Sequence, residues 1–128
     1  MNVKKTYGDN AKLVWKDRKR FLGMPLSFTR YYLIKKEGSW CKIFSDIGFT
    51  YSVIDEVNLY RIYDISLTQS LIGKMCNTGT VILYSNDERS PRFVLKNVKD
   101  PFKVRDMFST LIEEERRIHN VHITEFQS

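Results

Sequence analysis

The sequence predicts a mainly β domain, a sandwich or small barrel, that is closed by a single C-terminal α-helix. Short segments rich in aromatic and β-branched residues follow a two-residue period between Leu26 and Leu95, and turn residues separate them. This pattern stops at Asp100-Pro101, after which apolar residues recur at helical spacing. Because helical segments do not alternate with the strands, a parallel α/β sheet is not indicated.

Six strands follow from two-residue alternation, short apolar runs and the turn residues between them. Lys35–Gly38 is expected to form a hairpin turn, and Asp46–Gly48 and Asn86–Pro91 are further turns. Residues 13–23 are apolar at both ends and charged in the middle, which favours a lead-in segment whose Trp15, Phe21 and Leu22 pack against the domain. The predicted strands span residues 26–34, 39–45, 49–54, 56–67, 80–84 and 92–95.

The C-terminal helix has a clear start and a clear apolar face. Asp100 suits the N-cap and Pro101 the first helical position, where its missing N–H is not needed. We expect the apolar stripe to plug the β structure, so that Leu111→Ala costs about 2–5 kcal/mol of stability. The stripe consists of Val104, Met107, Phe108, Leu111 and Ile112.

The chain length allows one domain with a genuine core. We expect a loosely ordered segment at residues 1–12, the domain at 13–117 and a polar tail at 118–128. Apolar runs are far shorter than the roughly 20 residues that cross a bilayer. No apolar stretch follows the N-terminal charges, so a signal peptide is not expected. We therefore expect a soluble cytoplasmic protein.

Neither a metal nor another cofactor is expected. Cys41 and Cys76 lack metal-type spacing and are expected to be reduced thiols. His119 and His122 fit no zinc-finger register with them, and neither histidine has an acid at a catalytic spacing. No enzyme is therefore predicted. Met75, beside Cys76, is expected to be a packing residue.

Positive charge is concentrated near the N-terminus. Residues 1–42 hold 11 Lys/Arg and 3 Asp/Glu, a net +8, and the rest of the chain holds 10 and 12, a net −2, which gives the total of +6. At about 1 kcal/mol per cation, the four cations of Lys16–Arg20 would bind anionic lipid with only millimolar affinity. The alternative is a solvated segment that keeps the protein soluble. The candidate anion- or lipid-binding residues are Lys16, Arg18, Lys19, Arg20, Lys35 and Lys36.

Three other features of the sequence bear on what the chain could bind. Arg61 and Tyr63 share an otherwise apolar strand face, so Arg61 is expected to pair with a distant acid or to line a ligand groove. An exposed strand edge could pair with a peptide or with another copy of the chain, although no pattern shows which edge is open. Nucleic-acid binding is not expected, because no recognition helix or RNA-binding motif is present.

Seven segments, in this order and spacing, carry a resemblance to a known family: Trp15–Arg20, Gly23–Tyr31, Asp55–Ile65, Gln69–Leu71, Gly79-Thr80, Ser85–Asp87 and Leu95–Pro101. Together they resemble the bacterial pleckstrin-homology (PH-like) domain family. The resemblance implies a PH-like barrel of two near-orthogonal antiparallel sheets capped by one C-terminal α-helix, and self-association as in ring-forming relatives. Lipid-binding eukaryotic relatives have a basic motif at the first hairpin and often a Trp in the last helix; this chain has Lys35-Lys36 and no such Trp.

These observations predict a non-enzymatic interaction or self-assembly module. Its expected partner is a protein or a second copy of the chain. The alternative is peripheral binding to anionic membrane lipids through the basic N-terminal segment.

Overall fold

The computed structural model describes the backbone of residues 3–127 and the side chains of residues 3–120. Seven strands and three α-helices are present within these residues. A 3₁₀ turn (Leu59–Arg61) joins the fourth strand to the fifth. The elements are α1 (Val3–Tyr7), β1 (Ala11–Arg18), β2 (Thr29–Lys36), β3 (Trp40–Ile47), β4 (Val53–Asn58), β5 (Ile62–Thr68), α2 (Leu71–Cys76), β6 (Thr78–Ser85), β7 (Arg92–Lys99) and α3 (Pro101–Gln127).

The strands form two antiparallel sheets, in the orders β1-β2-β3-β4 and β5-β6-β7. The predicted mainly β fold with a C-terminal helix is therefore confirmed, but the predicted barrel is wrong, because the described strands do not form one continuous closed sheet. The edges of β1 and β7 approach each other without a ladder. A backbone hydrogen bond of 3.0 Å, from Arg20 N to Asn97 O, joins these two regions of the chain.

The main core draws side chains from both sheets and from α3. Successive side chains of a strand point to opposite faces of the sheet, so one set faces the core. Leu33, Ile43 and Leu83 belong to this set and are fully buried. The predicted stripe of α3 is confirmed, with Phe108 fully buried against the edge of the Trp15 ring. Leu111 contacts the same core but is only partly buried.

A second apolar cluster covers the outer face of the four-stranded sheet. Residues 1–12, predicted to be loosely ordered, include α1, whose Val3 is buried in this cluster. Tyr7 lies one turn later on the same helical face and packs on the rings of Trp40 and Phe44. Packing on this outer face of the sheet therefore stabilises the helix of the N-terminal segment.

The predicted lead-in segment is instead a strand, β1. It pairs with β2 over its whole length, from Ala11 opposite Lys36 to Arg18 opposite Arg30. A bulge between Leu13 and Trp15 shifts the register, which hides the two-residue period in the sequence.

The long strand predicted at residues 56–67 is also wrong, since the 3₁₀ turn divides it and carries the chain from one sheet to the other. Leu59 in this turn is fully buried. Arg61 and Tyr63 therefore do not share an inward strand face: the Arg61 guanidinium lies over the Tyr60 ring, and Tyr63 is 59% exposed.

The helix α2 was not predicted. Ser70 caps its start by accepting a hydrogen bond from Gly73 N, and Asn77 ends it in the left-handed conformation. Met75 is 80% exposed on this surface helix, so the prediction that it is a packing residue is wrong.

The start of α3 at Pro101 agrees with the prediction, but the helix continues through the expected tail to Gln127. No glycine or second proline interrupts the sequence after Pro101. Gly79 of β6 lies directly under this start, since a Cβ there would be 3.0 Å from Pro101 Cγ. The helix is thereby held close to the three-stranded sheet.

Candidate functional site

The basic segment at the end of β1 is organised around one buried acid. The Asp17 side chain is only 7% exposed, and its Oδ1 accepts a hydrogen bond of 3.0 Å from Arg20 Nε. Its Oδ2 accepts a hydrogen bond of 2.8 Å from the Lys99 backbone N–H at the end of β7. Arg20 is thus committed to an internal ion pair, whereas Lys16 is exposed beside a cleft that also reaches α3.

The rest of the basic segment fixes the loop between β1 and β2. Lys19 N donates to Thr29 O at 2.9 Å, and Arg20 Nη1 donates to Gly23 O at 3.2 Å. Phe21 and Met24 exchange two backbone hydrogen bonds of 2.9 Å, which closes a tight turn. Leu22 at its tip has a positive φ of 50°, which is rare for a leucine and holds the side chain outward in a fixed loop.

Large apolar side chains surround this loop, and we call them the apolar loop surface. Each of its members is at least half exposed, from 50% for Met24 to 80% for Met75. They come from the β1–β2 loop, the β3–β4 loop and α2. The members are Phe21, Leu22, Met24, Leu26, Phe28, Phe49, Tyr51, Leu71, Ile72 and Met75.

Direct contacts join these three segments. The rings of Phe28 and Phe49 lie 4.7 Å apart, and Gly48 N donates to Phe28 O at 3.3 Å. Gly23 lies against α2, because a Cβ on it would be 3.3 Å from Cys76 Cβ. The three segments that carry the apolar loop surface are therefore in contact with one another.

The charge along these segments has a single sign. Residues 18–28, 47–54 and 69–77 contain no Asp or Glu, whereas they carry Arg18, Lys19, Arg20 and Lys74. The nearest acid of β3, Asp46, is already paired with Arg30 at 3.2 Å. The apolar loop surface is thus bordered by positive charge.

Lys35 and Lys36 lie at the opposite end of the first sheet. In the β1–β2 register Lys36 faces Ala11, seven residues along β1 from Arg18, a distance of roughly 20 Å. Lys35 forms ion pairs with Glu115 at 3.1 Å and Glu114 at 3.8 Å of α3. Burial lowers the pKa of Lys35, but these acids outweigh it and leave the pKa raised. The six predicted cations therefore do not form one site.

Groups that could carry covalent or metal chemistry occupy structural positions. His119 stacks on Tyr60 with 3.8 Å between ring centroids, and the side chain of His122 lies outside the described residues. Within residues 3–120 no group of three His, Cys, Asp or Glu side chains is placed to hold a metal ion. No helix of the described chain is long and apolar enough to cross a membrane.

The two cysteines are expected to differ in reactivity. Desolvation raises the pKa of the buried Cys41 thiol to about 12, so at pH 8 only about one thiol in ten thousand is ionised. We expect iodoacetamide at pH 8 to modify Cys76, which is partly exposed, and to spare Cys41 until the protein is unfolded. Mass spectrometry of the native and guanidinium-treated protein checks this, and rapid native alkylation of Cys41 would contradict its burial.

Scans against models of known protein families, against curated proteins and against solved structures found no match. The resemblance to PH-like domains therefore stays a prediction.

Sequence reasoning found the basic residues of this site but not their apolar neighbours. Phe21 and Leu22 were expected to tuck against the domain, and they are 64% and 52% exposed. Phe28 and Phe49 were placed in strands, yet both lie in loops. One signal was available: Arg20–Phe28 is rich in apolar residues but contains Gly and Pro and keeps no two-residue period, which argues against a buried strand.

Proposed function

We propose that this chain is a non-enzymatic, PH-like interaction module that docks on the surface of an anionic membrane. The observation that carries the proposal is the apolar loop surface, in which ten large side chains project from three acid-free segments, two of which also carry cations. Contiguous exposed apolar patches rimmed by polar residues mark interaction surfaces on small soluble domains.

The apolar side chains supply binding free energy that the cations of the basic segment alone do not provide. Because Arg20 is paired with Asp17, the cations Arg18, Lys19 and Lys74 contribute only about 3 kcal/mol at an anionic surface. If three apolar side chains at the loop tips each gain half of a full burial, they add roughly 2–4 kcal/mol. The sum of about 5–7 kcal/mol corresponds to affinities on the order of 10–200 μM, which is sufficient for reversible docking.

Charge also favours a membrane over a second copy of the chain. A two-fold contact through the apolar loop surface would place Arg18, Lys19 and Lys74 of each copy near the same cations of the other. Like charges at close range oppose such pairing, whereas anionic lipid headgroups would neutralise them.

The test is sedimentation with vesicles of phosphatidylcholine, alone or with phosphatidylglycerol, at low and high salt. We expect binding only to the anionic vesicles, and weaker binding at high salt. The double variant Leu22→Asn/Phe49→Ser is expected to bind about tenfold more weakly, because two inserted side chains are lost. Tyr63→Ser removes a comparably exposed ring of β5 and is expected to leave binding unchanged.

Equal binding to neutral and anionic vesicles, or none to either, would contradict the proposal. Light scattering after size exclusion separates the competing function. A concentration-dependent dimer that Leu22→Asn/Phe49→Ser abolishes would instead assign the apolar loop surface to self-association.

A further inference from the structure

A second basic feature lies where β1, the end of β7 and the first turn of α3 meet. These elements enclose an open cleft of ≈ 290 Å³. Its walls include apolar parts of Trp15, Val104 and Met107, and its rim carries Lys16, Lys99 and Lys103. The three lysines are exposed, and within residues 3–120 no carboxylate lies in ion-pair distance of their ammonium groups.

The two acids of this cleft, Asp17 and Asp100, already accept hydrogen bonds from other groups of the protein. Asp17 accepts hydrogen bonds from Arg20 and from the Lys99 backbone. Asp100 accepts a hydrogen bond from the side-chain amide of Asn77. The four cations Lys16, Arg20, Lys99 and Lys103 against these two acids leave a local net charge of +2.

The start of α3 adds to this positive field. Helices favour acids in the first turn, where the aligned peptide dipoles leave partial positive charge and free N–H groups. The first turn of α3 has no acid, and Lys103 stands there. This arrangement is unfavourable in the empty cleft and becomes favourable when an anion occupies it.

The lysines emerge from a backbone that is held in place. Asp17 fixes the end of β7 through Lys99 N, and Asp100 N donates to Asn77 O at 3.0 Å just before the helix. A bound anion would therefore meet cations whose backbone is already positioned, which lowers the entropic cost of binding.

We infer that this cleft binds a phosphate-monoester group. A monoester carries a charge of about −1.5 to −2 near neutral pH, which matches the local +2, and its three oxygens can meet separate donors. A carboxylate or a phosphodiester carries a single negative charge and leaves part of the field uncompensated. The apolar wall beside Trp15 and Met107 accommodates carbon atoms attached to the phosphate. This inference does not depend on membrane docking.

The test is a ¹H–¹⁵N NMR titration with glycerol 3-phosphate, a monoester, and with dimethyl phosphate, a diester. We expect saturable shifts at Lys16, Lys99, Phe102 and Lys103 with the monoester alone. Its affinity is expected to fall as the pH drops below about 6, where the monoester gains a proton. Lys16→Ala/Lys103→Ala is expected to weaken binding at least about tenfold, because two charge-assisted contacts are lost.

Lys12→Ala/Lys96→Ala removes the same charge from exposed positions that do not line the cleft, and it is expected to leave the affinity unchanged. Equal weakening by both double variants, or equal shifts with both phosphates, would overturn the inference, because either result reports only net charge.

Vesicles identify the source of the phosphate. Phosphatidic acid offers a monoester headgroup, and phosphatidylglycerol at matched surface charge offers a diester. A preference for phosphatidic acid that Lys16→Ala/Lys103→Ala abolishes would support the inference with a lipid headgroup as ligand. Glycerol 3-phosphate binding without that preference would support it with a soluble ligand. Leu22→Asn/Phe49→Ser is expected to leave glycerol 3-phosphate binding intact, so the two proposals fail separately.

Discussion

Replacing Phe108 with alanine is expected to lower the free energy of unfolding by about 3–5 kcal/mol. The ring is fully buried where α3 meets both sheets, and its centroid lies 5.7 Å from that of the Trp15 ring, with the two ring planes nearly perpendicular. Its removal would leave a cavity that the surrounding strands cannot fill, because the sheets are fixed by their own ladders. Urea denaturation of the wild type and the variant measures the difference.

Two neighbours on α3 provide the comparison. Leu111 is only partly buried, so Leu111→Ala is expected to cost about 1–2 kcal/mol, less than its place in the apolar stripe suggests. Thr110 is exposed, and Thr110→Ala is expected to change stability by less than about 0.5 kcal/mol. Equal losses for Phe108→Ala and Leu111→Ala would show that α3 does not pack as the structure describes.

The elements that the sequence predicts well are those whose pattern records burial. The stripe of α3 is one buried face, so its period of 3.6 is visible in the residue types. In residues 80–84 both faces are buried, because Val81, Ile82 and Leu83 are all in the interior, and the strand is visible as a continuous apolar run. The end of the β region at Pro101 is equally local, since proline fixes its own backbone conformation. These features depend on neighbours along the chain.

The elements that the sequence predicts poorly depend on contacts between distant segments. β1 tolerates the acid Asp17 near its end because the Lys99 backbone N–H, 82 residues away, donates a hydrogen bond to it. The 3₁₀ turn at residues 59–61 preserves an apparent two-residue alternation while it carries the chain to the other sheet. Neither the distant partner nor the change of sheet leaves a local signal.

In the candidate site, too, some features can be predicted from the sequence and others cannot. The cations of Lys16–Arg20 are evident from composition, but their different roles are not. Arg20 belongs to an internal ion pair, and Lys16 faces a cleft completed by Lys99 and Lys103 from the other end of the chain. Apolar residues are assigned to the interior by default, so ten exposed ones in loops and a surface helix run against the usual expectation.

Arg20 connects the two proposed surfaces. Its guanidinium pairs with Asp17 at the cleft and donates to Gly23 O within the tight turn that presents Leu22. A change at the cleft that moves Arg20 would therefore also move the tip of the apolar loop surface. Asp17 holds Arg20 in this position through the ion pair. Substitution of Asp17 therefore tests directly whether this ion pair stabilises the end of β1.

Asp17→Ala is expected to destabilise the protein by about 3–5 kcal/mol, because it removes one partner of a mostly buried ion pair and leaves the other charge uncompensated. The Lys99 N–H also loses its acceptor, so one of the hydrogen bonds that join the ends of β1 and β7 is lost. Asp17→Asn keeps an acceptor oxygen without the charge, and an intermediate loss is expected. Urea denaturation measures both, and hydrogen exchange at Lys99 locates the damage.

Asp106→Ala is the matched control, since Asp106 pairs with Arg105 on the surface and its side chain is 74% exposed. Such surface pairs contribute about 0–1 kcal/mol, so this variant is expected to be nearly as stable as the wild type. If Asp17→Ala were no more harmful than Asp106→Ala, Asp17 would be a solvated charge and its bond to Lys99 would not stabilise the fold. A large loss confined to Asp17, with faster exchange at Lys99, would show that this one acid holds the basic segment against the second sheet.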